Sequence, residues 1–324
     1  MVKMKKQLVL LIKYFSMIKS IKIGTRSSKL ALYQSNLVKE KLTSLLPDLK
    51  IILVEIKTKG DKIQDRNLDR NIDKGFFVKE IQEHLLDDQI DIAVHSLKDL
   101  PVENYSDDVT SIILKRGNHN DVFLSRNKKK LSNFDHTLKI GTSSLRRKAQ
   151  LLNINSDLNI NDIRGNVDTR ISKMLNGEYD GLVMAAAGIE RLGLKEYITE
   201  YFDIDKMLPA PGQGAISVEI RKKNNEMHDI LKNINDEETN LCTHYERSFM
   251  NELGGGCNSP IGAYSSISNN KKKITGSILS LDGKQVYKRS LEKDISSDIN
   301  IGKLLAKDLI KSGANEIIKN ITIE

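Results

Sequence analysis

Short apolar runs rich in β-branched residues alternate with longer amphipathic stretches from residue 21 to about residue 235, and no other feature narrows the fold as much. Buried strands separated by helical crossovers form layered α/β structure, so this rhythm predicts α/β lobes with mostly parallel strands. The predicted strands cover residues 21–24, 51–58, 90–94, 122–125, 138–141, 159–163, 181–185 and 215–221, with helices at 29–46, 78–87, 145–153 and 167–176. After about Asn235 the rhythm changes. A capped helix at 236–253, strands at 262–268, 273–280 and 285–290, an Asp282-Gly283 turn and a helix at 301–312 ending at Gly313 predict a smaller α+β domain.

One five-residue echo supports two lobes of similar design. Ile23-Gly24-Thr25-Arg26-Ser27 returns as Ile140-Gly141-Thr142-Ser143-Ser144, each time closing an apolar strand and opening a helix. Ligands of open α/β sheets sit at the carboxyl ends of strands, where a helix N-terminus offers unpaired N–H groups and the positive end of its dipole. Facing lobes would then enclose an anion-binding cleft; alternatively the hydroxyls are simple helix caps.

Charge types sharpen this. The chain has 51 Lys and Arg against 43 Asp and Glu, an excess compatible with anionic ligands, nucleic acid or neither. Only 13 of the cations are Arg, so positions that hold Arg are candidates for forked hydrogen bonding to carboxylate or phosphate, which Lys does badly. Arg26, Arg146, Arg147, Arg164, Arg170 and Arg191 all fall in or beside Gly/Ser/Thr-rich turns. Arg146 and Arg147 follow Thr142, Ser143 and Ser144, while Arg164 and Arg170 flank a turn at Gly165. Neither segment has the form of a P-loop or a dinucleotide fingerprint, which disfavours nucleotide binding. Without zinc, helix-turn-helix or stacking motifs, and with aromatics at 5% and no Trp, nucleic acid is not the expected partner.

Two cysteines, Cys242 and Cys257, are too few for a disulfide framework or a cysteine zinc site; no metal is expected and the chain reads as intracellular. Cys242 lies within a helical pattern and reads as packing. Cys257 follows Gly254-Gly255-Gly256 on a loop suited to displaying a side chain, as attachment point or nucleophile. A strand runs straight into His95, Ser96, Lys98 and Asp99. Residues this close in sequence rarely converge as a hydrolase triad; Asp99 reads better as a carboxylate kept ionised by nearby positive charge, able to hold a cation or a ring N–H, with a turn-forming role as the alternative. Lys74 and Phe77 follow a charged stretch at 60–73 that reads as a mobile loop, either a lid with Phe77 stacking on a flat ligand or an ordinary helix entry. Residues 1–19 are basic with an apolar run too short to span a bilayer, and read as a leader or as sequence ahead of the true start, Met17. No other segment approaches membrane-spanning length.

Together these pieces resemble the hydroxymethylbilane synthase (porphobilinogen deaminase) family, from about Ile21 to the C-terminus. The similar segments include Gly24-Thr-Arg-Ser-Ser-Lys-Leu-Ala31, Lys74-Gly-Phe-Phe-Val-Lys-Glu80, Ala93-Val-His-Ser-Leu-Lys-Asp99, Gly141-Thr-Ser-Ser-Leu-Arg-Arg147, Arg164-Gly-Asn-Val-Asp-Thr-Arg170, Leu208-Pro-Ala-Pro-Gly-Gln-Gly-Ala215 and Gly254-Gly-Gly-Cys257. The resemblance implies two periplasmic-binding-protein-like α/β lobes, at 20–114 with 215–232 and at 115–214, plus a C-terminal α+β domain at 233–324. It also implies a dipyrromethane cofactor joined to Cys257 by a thioether, onto which four porphobilinogen units are added with loss of ammonia. Asp99 would contact pyrrole N–H groups, help protonate the departing amine and stabilise an azafulvene-like cation. Arg26, Arg146, Arg147, Arg164, Arg170 and Arg191, aided by Ser28, Lys98, Thr142, Ser143, Ser144 and Gly165, would hold the acetate and propionate groups, with Lys74 and Phe77 near the growing chain. A cytoplasmic monomer is expected, with organelle targeting by residues 1–19 left open; the alternative is a two-lobed anion-binding protein without catalysis.

Overall fold

The structure, a computed structural model, describes residues 20–56, 73–101, 106–256 and 259–323. The chain opens with β1 (Ser20–Thr25), α1 (Lys29–Leu45), β2 (Lys50–Glu55), α2 (Asp73–Leu86), β3 (Ile92–Ser96) and β4 (Val109–Ile113), with a 3-10 turn, Leu97–Asp99, directly after β3. It crosses to a second lobe of β5 (Asp121–Ser125), β6 (Lys139–Gly141), α3 (Leu145–Ile154), β7 (Asn159–Asn161), α4 (Val167–Leu175), β8 (Gly181–Ala185), α5 (Ala186–Arg191) and β9 (Ile198–Tyr201). It then returns to the first lobe as β10 (Ile216–Arg221) and α6 (Asn225–Leu231). The third domain comprises α7 (Glu237–Glu252), β11 (Ile261–Ser268), β12 (Lys271–Leu279), β13 (Val286–Asp294), α8 (Ile301–Lys311) and α9 (Asn315–Ile323).

The two lobes share one topology. The first sheet runs β2-β1-β3-β10-β4 and the second β7-β6-β8-β5-β9, so β1 and β6, which carry the echoed Ile-Gly-Thr, occupy equivalent positions. The third domain holds an antiparallel β11-β12-β13 sheet, giving the expected pair of α/β lobes and a small α+β domain.

The expectation of mostly parallel strands needs correcting. In each sheet two pairings are parallel, while β10 in the first and β5 in the second run antiparallel to both neighbours. Connectivity imposes this: β4 ends where the chain leaves the first lobe and β10 begins where it comes back, so they must run in opposite senses, and β5 and β9 repeat the argument. Strands β4 and β9, both at sheet edges, and the helices α5, α6 and α9 are absent from the predicted elements, which place the last helix at 301–312. The period of a short segment is a weak signal, and Gly188 inside α5 lowers its helical propensity further.

The sheet of each lobe is covered on both faces, which explains the near-continuous apolar runs there. In the first lobe Val38 and Leu42 of α1 pack with Ile21, Ile23 and Val94 on one face, and Ile81 and Leu85 of α2 with Ile90 and Ala93 on the other. The third domain packs Phe249 of α7 and Leu305 of α8 onto Ile274 and Ile278 of β12. Helix α1 is capped by Ser28, whose Oγ accepts from the N–H of Ala31, and Pro47 follows closely on its end. Helix α7 starts on Asp236, which accepts from the N–H of Thr239, with Glu237 and Glu238 beside the positive dipole end. It ends in a Schellman motif: Gly254 takes φ +73°, its N–H donates to the Asn251 carbonyl, and that of Gly255 donates to Met250. Among the described residues no helix is long and apolar enough to cross a membrane.

Candidate functional site

Strands β1 to β4 of the first lobe and β6 to β8 of the second all end toward the seam between the lobes. The 3-10 turn carrying Asp99 leaves β3 there, with Asp99 half-buried. Lys29 of α1 meets Asp168 of α4 across the seam at 3.1 Å, an exposed contact that marks the two lobes as adjoining. Burial draws the Arg170 guanidinium down to about 10, the charge on Arg147 pushes the same way, and the carboxylate of Asp99 opposes both. Arg170 therefore remains protonated at neutral pH and feels the Asp99 charge from the other lobe. Its Nε donates to the Gly165 carbonyl at 2.7 Å, which anchors the side chain to the turn that the sequence singled out.

Arg146 and Arg147 converge on a carboxylate the sequence reading did not use. Asp121, fully buried at the start of β5, accepts from Arg146 Nη1 at 2.6 Å through Oδ2, and from Arg147 Nε at 3.0 Å and Nη2 at 2.8 Å through Oδ1. Arg146 Nη1 also donates to the Leu208 carbonyl, and Arg147 Nη1 to that of Val183. Burial by itself would raise the Asp121 carboxyl, but the two guanidinium charges, with hydrogen bonds from Arg146 and Gln213, outweigh it and hold it well below the usual carboxylate range. Both arginines thus have a structural partner in addition to any ligand, and Arg146 keeps a buried Nε with no partner among the described residues.

Asp121→Asn leaves two buried guanidinium charges short of their counter-ion. The expected cost is about 3–5 kcal/mol, read as a lowered denaturation midpoint; an unchanged midpoint would contradict the coupling. Since the folded-state value lies below the unfolded one near 3.9, this contribution is complete above about pH 4 and is lost as pH falls toward the folded value.

Gln213 ties the two lobes together at this point. Its Nε2 donates to Asp121 Oδ1 at 3.0 Å and to the His119 carbonyl at 2.8 Å, while its Oε1 accepts from Lys98 Nζ at 3.2 Å. Lys98 is thereby held next to Asp99 by a residue from the returning crossover. The crossovers, residues 114–120 and 207–215, touch where the Gly117 N–H donates to the Gly214 carbonyl at 3.0 Å, and Arg191 Nη2 donates to the same carbonyl at 2.7 Å. Gly214 has φ +89°, and a Cβ there would lie 2.8 Å from the Gly117 oxygen, so only glycine lets the crossovers come this close. Arg116 reaches from the outgoing crossover to Glu246 of α7, at 2.6 and 3.0 Å, and Glu246 also accepts from the N–H groups of Gly212 and Ser265. The third domain is therefore fastened to the hinge.

The remaining sequence candidates divide by position. Ser28 and Ser144 act as helix caps, the latter accepting from the Arg147 N–H. Thr142 is buried and its Oγ1 accepts from the Ser144 N–H; Ser143 Oγ donates to the Ile163 carbonyl and accepts from the Ile163 N–H, bracing the loop that leads into Arg164. Arg26 is half-buried immediately after β1, and Arg164 is exposed. Lys74 and Phe77 fall within the first turns of α2, with their side chains outside the described part. Residues 60–72 of the expected lid lie outside the described residues, as does Cys257; the Gly256 carbonyl just before it accepts from Ser259 N and Oγ. Cys242 is buried, and burial together with Glu246 pushes its thiol up to about 12, in keeping with a packing role. The disfavoured triad fails geometrically: His95 sits 3.2 Å from Glu219 under α2, whereas Ser96 accepts from Gln34 of α1 on the opposite face.

The seam fits a polycarboxylate pyrrole cofactor: among the described residues Arg170 is anchored through its Nε to the Gly165 turn, and Arg146 keeps a buried Nε without a partner. Sequence reasoning missed Gln213, Arg116, Glu246 and Arg247. The scarcity of Arg would have flagged two of these, but their partners lie about 100 or more residues away.

Comparison with known proteins agrees across nearly the whole chain. A family model described as "Porphobilinogen deaminase, dipyromethane cofactor binding domain" matches residues 21–229, and one described as "Porphobilinogen deaminase, C-terminal domain" matches residues 240–311. The porphobilinogen deaminase of Alkaliphilus metalliredigens is 42% identical over 306 residues, covering 94% of this chain and 97% of that protein. Those of Syntrophomonas wolfei and Staphylococcus carnosus are 43% and 41% identical, each covering 93% of this chain and 98% of the relative. The BenM effector binding domain with its effector benzoate covers 68% of this chain and 91% of its own at 16% identity, with a TM-score of 0.41, too low to carry an argument.

Proposed function

The chain belongs to the porphobilinogen deaminase family, and from that premise we propose how its own residues divide the work of the reaction. The enzyme is a transferase that joins four porphobilinogen units into the linear tetrapyrrole hydroxymethylbilane, releasing ammonia, in porphyrin and heme biosynthesis. Its cofactor is dipyrromethane, which supplies the terminal pyrrole carbon at which the chain is extended. In this reading Cys257 holds that group through a thioether, at the end of the glycine loop that follows α7.

Every pyrrole unit brings an acetate and a propionate, so the cleft must balance several carboxylates. Arg26, Arg147, Arg164, Arg170 and Arg191 supply forked donors, with Ser28, Lys98, Thr142, Ser143, Ser144 and Gly165 completing the cradle and Arg146 acting mainly through Asp121. Lys74 and Phe77, in the first turns of α2, serve the growing chain in this reading. Asp99 accepts from pyrrole N–H groups, keeps the aminomethyl group of porphobilinogen as ammonium so that it departs as ammonia, and balances the positive charge left on the ring. The observation that carries this reading is the Asp99 carboxylate on the turn after β3, whose charge acts on the buried Arg170 guanidinium of the other lobe. In this reading the protein acts as a cytoplasmic monomer with porphobilinogen as its partner and without nucleic acid; its bacterial relatives support the cytoplasmic placement.

Purified enzyme given porphobilinogen is expected to release one ammonia per unit consumed and to weigh more than its bare polypeptide by two linked pyrroles. A non-catalytic anion-binding protein would bind porphobilinogen, release no ammonia and carry no extra mass.

A further inference from the structure

Arg247 of α7 does something none of the arginines singled out in the sequence does. Its Nη1 donates to the carbonyls of Leu97 and Leu100, each at 3.2 Å, and its Nη2 to that of Pro101 at 2.5 Å. These three oxygens bracket Asp99: the first opens the 3-10 turn and the other two follow it. Reaching several carbonyls at once requires a planar fork, which a Lys ammonium on a single stem does not provide. The neighbouring residue, Glu246, grips Arg116 and the Gly212 N–H at the hinge. The same helix then runs through Gly254 into the loop that bears Cys257. One rigid element thus touches the hinge and the turn that presents Asp99, and leads on to the loop of the cysteine.

We propose that Arg247 is a positioning residue for the condensation. By fixing the Asp99 turn to α7, it sets where the carboxylate stands relative to the primer anchored on the third domain. The proposal rests on the roles assigned above to Asp99 and Cys257.

The test uses Arg247→Ala and Arg247→Lys, each alone and combined with Asp99→Glu, as purified chains whose mass confirms the attached dipyrromethane. Misplacement of a reacting group by about an ångström costs up to about 10²-fold in rate. Arg247→Ala is therefore expected to lower kcat about tenfold or more with KM nearly unchanged, and Arg247→Lys to fall between it and the parent. Groups acting through one another are not additive. With Asp99→Glu, whose carboxylate is already displaced, Arg247→Ala should cost clearly less than it does in the parent. An equal fold-loss in both backgrounds, or no loss in either, overturns the proposal. Should Arg247→Ala fail to fold, Arg247→Lys carries the same comparison. Parental turnover in both Asp99→Glu and Asp99→Ala would overturn the Asp99 assignment itself, and this proposal with it, a result distinct from additivity.

Discussion

Cys257→Ser is expected to abolish turnover and to reduce the intact mass to that of the bare polypeptide. A thiol near its ordinary pKa is a few per cent thiolate at pH 7 and strongly nucleophilic, whereas a serine hydroxyl without a base is neither. No exposed thiol competes among the described residues: Cys242 is 4% exposed with its thiol pushed up to about 12, so Cys242→Ser should retain the extra mass. Mass spectrometry of both variants decides the matter, and a Cys257→Ser protein that still carries two pyrroles would remove the assigned anchor.

The second large effect is expected at Asp99. Asp99→Ala should lower turnover by at least about 10²–10³-fold, the range for deleting a preorganised electrostatic group, while circular dichroism and dipyrromethane content stay unchanged. The carboxylate is half-buried on a turn held by backbone contacts of its neighbours, so its removal leaves the fold intact. Asp99→Asn separates charge from hydrogen bonding: the amide still accepts a pyrrole N–H but cannot balance a cation, and its loss should approach that of alanine. Near-parental rates in both variants would exclude the electrostatic role.

Much of this architecture is legible from local pattern. The echo around Gly24 and Gly141 marks the second strand of each sheet in two lobes of the same topology, and the caps at Ser28, Ser144 and Asp236 open the helices predicted after them. Strand direction is not legible in this way, because β10 runs antiparallel for a reason that lies in the route between lobes. Long-range partners are equally hidden. Arg146 and Arg147 read as ligand cradles until Asp121, at least 25 residues earlier, is seen beneath them. Gln213 lies inside a motif dominated by Gly and Pro, and nothing in its neighbours announces Lys98 or Asp121 as its contacts. Arg116 and Arg247 satisfy the same rarity argument as the six arginines chosen, but they lack the Gly/Ser/Thr-rich surroundings that guided the choice.

The lobes are joined covalently twice, by residues 114–120 and 207–215, and the two connections meet at Gly117 and Gly214. A rigid body pinned to another at two points keeps one easy rotation, about the line through the pins, while sliding and twisting are resisted. If the oligomer lengthens between the lobes as proposed, this double connection favours opening and shutting over sliding, so each added ring would be accommodated by the angle of the gape or by a shift of the tether.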